Sequence, residues 1–141
     1  MPQTAPANHA PSAPALRRLL YVEDDPSILA IVKLTLEGLG KFVVHSCTSG
    51  SEAIETGAGF KPDLILLDVM MPGMDGPTTL KALRQLPGLA TTPAIFMTAT
   101  TGPDDVAELM AQGAIAVIAK PFDPLTLCEE IKSAWHIQDT L

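Results

Sequence analysis

Five short apolar runs recur along this chain, and each is followed by a segment with helical period. They are LLYV at 19–22, FVV at 42–44, LILL at 64–67, AIFM at 94–97 and AVIA at 116–119. No other feature narrows the fold as much. A strand that is apolar along its whole length has both faces covered, which is the habit of parallel sheets flanked by helices. After the first run, Asp25-Pro26 reads as an N-cap followed by proline in the first turn. Ile28, Val32 and Leu36 then keep helical spacing until Gly38 and Gly40. Residues 51–58 read as a short second helix ending in Gly57 and Gly59. Leu80, Leu83 and Leu86 mark a third. Pro103 opens a fourth that runs to Met110 and is closed by Gly113. Asp123-Pro124 repeats the cap signal, and Leu127, Ile131 and Trp135 form the inner stripe of a fifth.

Strict alternation of strand and helix predicts a three-layer α/β fold, (βα)5, with a five-stranded parallel sheet and right-handed crossovers. The flavodoxin-like strand order 2-1-3-4-5 is the arrangement expected. The folded domain is expected over residues 16–141. Residues 1–15, rich in Ala and Pro and without an apolar period, are expected to be a disordered tail.

In such sheets ligands bind beyond the carboxyl ends of the strands, where the strand order reverses. The polar residues fall there. The first strand ends on Glu23-Asp24-Asp25, the third on Asp68, the fourth on Thr98 and the fifth on Lys120-Pro121. A lone carboxylate at the end of a buried strand is costly, so Asp68 calls for a partner or a task. Several carboxylates in one crevice repel one another, and a hard cation relieves that repulsion. Glu23, Asp24 and Asp68 therefore form a candidate Mg²⁺ site. A carboxylate beside Mg²⁺ is able to attack phosphorus, with Lys120 balancing charge and Thr98 donating a hydroxyl hydrogen bond. Taken singly, each residue has a plainer explanation: Asp25 and Asp75 as caps, Thr98 as a strand-end hydroxyl, Lys120 as a salt-bridge partner. Their coincidence on successive strand ends is what points to chemistry.

Composition removes several other classes. The net charge of −7 and nine scattered Lys and Arg residues argue against a general nucleic-acid or anionic-membrane binder. No apolar run approaches the ~20 residues of a membrane span, and no secretory signal is visible. Cys47 and Cys128 lack metal or redox spacing and read as two ordinary buried thiols. The expected location is the cytoplasm. His9, His45 and His136 show no ligand spacing. Met70, Met71 and Met74 read as turn and packing residues, since thioethers prefer soft metals.

The segments LLYVEDDPSI (19–28), LILLDVMMPGMDG (64–76), PAIFMTA (93–99) and AKPFD (119–123) resemble, in order and spacing, the receiver domains of bacterial two-component response regulators. The resemblance covers roughly Arg17 to Trp135. It implies that Asp68 is the phosphoacceptor. It implies that Asp24 and Asp68 bind Mg²⁺ through their side chains, Met70 through its backbone carbonyl and Glu23 through water. Thr98 would be the switch hydroxyl, Lys120 the phosphate-pairing amine, and Lys120-Pro121 a cis peptide. The implied partner is a sensor histidine kinase or a histidine phosphotransfer protein. Receivers catalyse their own phosphoryl transfer and dephosphorylation and are not otherwise enzymes, and Met70 and Thr100 are expected to tune access of the hydrolytic water.

Two departures from the pattern bear on output. Many receivers carry Tyr or Phe where this chain has Val117, so the expectation is a switch by backbone shifts around Thr98 and Ala99 in place of a swinging ring. The last helix carries Glu129-Glu130, where receivers that dimerise in the manner of winged-helix transcription factors often carry basic residues. A monomer is expected. The chain stops at Leu141 without an output module, so the expectation is a stand-alone, chemotaxis-type receiver. It would signal by contact with a protein target through the fourth helix, fifth strand and fifth helix, or by passing its phosphoryl group onward. Three alternatives stand beside this. One is a receiver-fold binding module that works without phosphorylation. Another is an Asp-nucleophile phosphatase of the haloacid-dehalogenase type, which lacks its second acid because position 70 is Met. The third is a flavin or nucleotide binder, disfavoured by the acidic loop after the first strand.

Overall fold

The computed structural model describes residues 15–139. The expected tail at 1–15, residue 15 apart, and His9 within it lie outside the described residues. Strands and helices alternate throughout: β1 (Arg18–Val22), α1 (Pro26–Gly38), β2 (Val43–Cys47), α2 (Gly50–Phe60), β3 (Leu64–Asp68), α3 (Gly76–Leu83), β4 (Ala94–Thr98), α4 (Pro103–Ala111), β5 (Ala116–Ala119) and α5 (Pro124–Asp139). All strand pairs are parallel, in the order β2-β1-β3-β4-β5. The predicted fold is therefore the observed one.

Period-two alternation along each strand divides the core into two layers. Leu19, Tyr21, Leu64, Leu66, Ile95 and Met97 face one side, where they meet Leu36 of α1 and Leu127, Ile131 and Trp135 of α5. Leu20, Val22, Ile65, Leu67 and Phe96 face the other, against Ala53 of α2, Leu80 and Leu83 of α3 and Leu109 of α4. β3 and β4 are buried at every position, which is why their sequences show no polar alternation. Cys47 and Cys128 are buried free thiols in opposite layers.

The cap signals act as read. Asp25 accepts from the amides of Ser27 (2.8 Å) and Ile28 (3.2 Å). Asp75 accepts from Thr78 (2.9 Å), and Asp123 from Leu125 (2.9 Å). Three boundaries differ from the sequence reading. The second helix does not stop at Gly57 or Gly59 but spans Gly50–Phe60. Its start is fixed by a box the reading passed over: Ser49 Oγ accepts from the Glu52 amide (3.1 Å), and Glu52 accepts from the Thr48 amide (2.8 Å). Gly57 sits inside this helix because the backbone lies close to the sheet; a Cβ there would stand 3.1 Å from Leu20 Cδ2. The second strand is displaced, running from Val43 to Cys47 rather than over 42–44, with His45 and Ser46 in it. It is an edge strand and only partly buried, so its composition is mixed. Finally, α3 ends at Leu83, and Leu86 enters the core from the turn that follows.

Candidate functional site

The crevice lies where β1 and β3 end side by side. Carboxylate oxygens of Glu23, Asp24 and Asp68 all lie within 4.8 Å of one another. Glu23 and Asp68 are 1% and 3% exposed, while Asp24 is half-buried. Lys120 reaches in from the end of β5, placing Nζ 2.9 Å from Asp68 Oδ1 and 3.4 Å from Glu23 Oε1. The buried carboxylate at the end of β3 thus has a cationic partner that is 52 residues away in sequence. The Lys120-Pro121 peptide is cis.

Supporting contacts hold each acid. Glu23 Oε2 accepts from the Asp25 amide at 3.2 Å, and the buried Tyr21 hydroxyl faces Glu23 Oε1 from 3.5 Å. The β3–α3 loop folds back tightly, with the Gly76 amide donating to the Val69 carbonyl at 2.9 Å. A side chain at Gly76 would collide with the Asp68 carbonyl and stand 2.9 Å from Val69 Cα. Gly73, at φ +81°, supplies the left-handed turn in the same loop. Thr98 is 1% exposed. Its Oγ1 accepts from the Thr100 amide (3.1 Å) and shares a hydroxyl–hydroxyl hydrogen bond with Thr100 (3.0 Å). Ala99 is exposed in the loop between them. Met70 is 76% exposed at the rim, so its thioether stands in solvent. Val117 is half-buried in β5 and packs on the α2–α4 layer of the core.

Burial sets the electrostatics. It raises the Asp68 pKa above the usual carboxylate range, with Lys120 pulling it down and Asp24 pushing it up. Glu23 is likewise raised, chiefly by burial, against the hydrogen bond from the Asp25 amide. Burial works against the Lys120 charge, yet Asp68 and Glu23 outweigh it and hold the ammonium pKa above its ordinary value. Tyr21 is raised by burial and by the neighbouring acids, so its hydroxyl remains a donor at any physiological pH.

The structure brings together Glu23, Asp24, Asp68 and Lys120, while Thr98 ends the neighbouring strand β4 and Asp25 serves as the α1 cap. Two contacts were not read from the sequence: Tyr21 with Glu23, and Thr100 with Thr98. Two hydroxyls spaced two apart after a strand are the only local trace of the second. Three carboxylates against one ammonium leave an uncompensated negative charge facing the crevice mouth, and the donor set is entirely oxygen. Such a set fits Mg²⁺, which takes one or two carboxylates and keeps water for its remaining positions.

A doubly wound parallel sheet with an acid cluster, a hydroxyl and an amine at its strand ends defines an α/β domain with a candidate metal and phosphate site. Comparison with known proteins narrows the class. The model of the response regulator receiver domain family matches residues 19–132, and the chain belongs to that family. It is 35% identical over 117 residues to the DNA-binding response regulator MtrA of Mycolicibacterium smegmatis, covering 83% of this chain and 50% of that protein. It is also 35% identical over 115 residues to the transcriptional regulatory protein CseB of Streptomyces coelicolor, covering 82% and 47%. The chain therefore spans about half the length of these curated relatives. Among solved structures, the chemotaxis protein CheY4 of Vibrio cholerae superposes with a TM-score of 0.78 at 33% identity, covering 85% of this chain and 99% of that one. Receiver domains of this family interact with histidine kinases or phosphotransfer proteins and bind Mg²⁺ at an acidic pocket. Among the described residues no helix is long and apolar enough to cross a membrane.

Proposed function

We propose that this chain is a receiver that accepts a phosphoryl group on Asp68 from a histidine kinase or a histidine phosphotransfer protein. One observation carries the reading: Asp68 is buried, ion-paired to Lys120 at 2.9 Å and within 4.8 Å of two further carboxylates. An Asp68 carboxylate oxygen attacks the phosphorus of a phosphohistidine. The new O–P bond forms as the P–N bond breaks, and neutral imidazole leaves. Glu23, Asp24, Asp68 and the Met70 carbonyl would hold Mg²⁺, with Glu23 acting through water. When bound, the ion neutralises charge on the transferring phosphoryl oxygens.

Lys120 then exchanges its ion pair with the carboxylate for one with the phosphoryl oxygens. The acyl phosphate carries roughly −1.5 to −2 charge in place of the single negative charge of the carboxylate. The Thr98 hydroxyl donates to it, loosening its contacts with Thr100, and the loop around Ala99 follows. This biases the chain toward an active arrangement, with output through α4, β5 and α5. Hydrolysis returns Asp68: water attacks phosphorus, the O–P bond breaks, and inorganic phosphate leaves. The chain has no other enzymatic role in this reading, acts as a monomer in the cytoplasm, and makes its output by protein contact or onward transfer.

The test is the intact mass of the protein after incubation with Mg²⁺ and acetyl phosphate, for wild type and Asp68→Asn, with and without chelator. A Mg²⁺-dependent gain of one phosphoryl group, absent from Asp68→Asn, is expected. Equal stoichiometric labelling of Asp68→Asn would remove Asp68 from the role. A folded, Mg²⁺-binding wild type that gains no mass even with histidine kinases supplied would favour a binding module that works without phosphorylation.

A further inference from the structure

β5 is an edge strand, so its outer side has no neighbour in the sheet. Between it and α5 lies an open groove of about 390 Å³. Its apolar walls include Ile115, Val117, Ala134 and Ile137, and Glu129 and Glu130 stand on its α5 side. Val117 carries no ring that could fill or uncover the trough, so the groove is already present with Asp68 unmodified.

The charged side chains that line it have one sign. From residue 85 to the end of the chain the only Lys or Arg residues are Lys120 and Lys132. Lys120 is engaged with Asp68 and Glu23, and Lys132 lies over the Phe42 ring, 5.6 Å from its centroid. Glu129 and Glu130 are exposed, and no Lys or Arg lines the groove. A second copy of this chain seated face to face would set Glu129 and Glu130 against their own equivalents. Like charges so placed oppose association, and the same field repels nucleic acid.

We infer that the β5–α5 groove docks a basic amphipathic segment of a partner protein, with apolar side chains in the trough and Lys or Arg beside Glu129 and Glu130. This rests on the reading that output is by protein contact, and it names the chemistry of the contacting partner. An apolar trough supplies desolvated area, and a margin of one charge steers the approach and selects against acidic competitors. Binding to the unmodified chain is weak but real, because no side chain has to rotate to open the site.

The experiment uses the whole chain, unphosphorylated and ¹⁵N-labelled. It is titrated with a synthetic amphipathic helix that carries Leu at helical spacing and Lys or Arg flanks, and with a twin carrying Glu flanks. The expected result is that the basic peptide binds at least about tenfold more tightly than its twin, with amide shifts centred on Val117 and Ser133. The double change Glu129→Lys, Glu130→Lys is expected to weaken it by about tenfold or more. Ser133→Trp, which fills the groove from an exposed position without altering charge, is expected to abolish it. Equal affinity for the two peptides overturns the inference. So does indifference to both variants, or a shift map centred elsewhere. A chain that gains its phosphoryl group yet ignores the basic peptide refutes the docking inference alone and leaves the receiver chemistry standing.

Discussion

Asp68→Asn is the perturbation that separates an electrostatically strained site from an ordinary one. The change is nearly isosteric and the amide oxygen still accepts from Lys120, so packing is kept and one buried charge is removed. Glu23 and Asp24 present carboxylate oxygens within 4.8 Å of Asp68. At an effective dielectric of about 20 each such pair costs about 3.5 kcal/mol, less for the half-buried Asp24. The Lys120 ammonium at 2.9 Å returns about 6 kcal/mol on the same scale. The two nearly cancel, and the desolvation of a carboxylate 3% exposed tips the balance against the charge. In chelator at neutral pH, Asp68→Asn is therefore expected to be more stable than wild type by about 1–2 kcal/mol. For a domain of this size that is a rise in Tm of roughly 3–8 °C by thermal melts. Magnesium should invert the order. At a hundredfold excess over its Kd, a ligand adds about 2.7 kcal/mol to the wild type, and most of that gain should vanish in Asp68→Asn. A lower melting point for Asp68→Asn in chelator would refute the electrostatic argument. An equal Mg²⁺ gain in both proteins would refute the assignment of the ion to this cluster.

The remaining predictions follow from the same geometry. Asp68 and Glu23 have raised folded-state pKa values, so the metal-free fold binds more protons than the unfolded chain, and these groups cost stability as pH rises through and above the ordinary carboxylate range. The advantage of Asp68→Asn in chelator should accordingly shrink as pH falls from 7 toward about 4, below which both states are protonated, and chemical denaturation across pH 4–7 reads it. Gly76→Ala forces the loop off the Asp68 carbonyl; a loss of several-fold in Mg²⁺ affinity is expected by titration, and unchanged affinity would contradict the close approach. Arg84 is half-buried and donates to the carbonyls of Leu89 (3.2 Å) and Thr92, which stitches the α3–β4 connection. Arg84→Ala should cost about 1–3 kcal/mol in urea denaturation without altering Mg²⁺ binding. Lys120→Ala should still gain the phosphoryl mass but lose the amide shifts that phosphorylation causes around Thr98 and Ala99 in NMR spectra.

How much could be read in advance differs from element to element, for physical reasons. Strands covered on both faces are apolar throughout, so β1, β3 and β4 stand out in the sequence. Asp25, Asp75 and Asp123 signal helix starts because capping is a local hydrogen bond within three residues. Where tertiary contact overrides propensity, the reading slips. Gly57 looks like a helix stop until Leu20 and Leu83 are seen against it, and β2 looks too polar because an edge strand is only half covered.

From the sequence alone came the alternation, the layer architecture and the set of polar residues at the strand ends, because periodicity and capping are properties of neighbours along a chain. Only the tertiary structure decided how those residues meet. Lys120 pairs with Asp68 and Glu23 from far along the chain, Tyr21 faces Glu23, Thr98 is held by Thr100, and among the described residues the groove between β5 and α5 is lined by Glu129 and Glu130 and by no Lys or Arg. Charge–charge distance and burial fix the pKa of a carboxylate, and both are set by the register of β1, β3 and β5 in space, which no local pattern encodes.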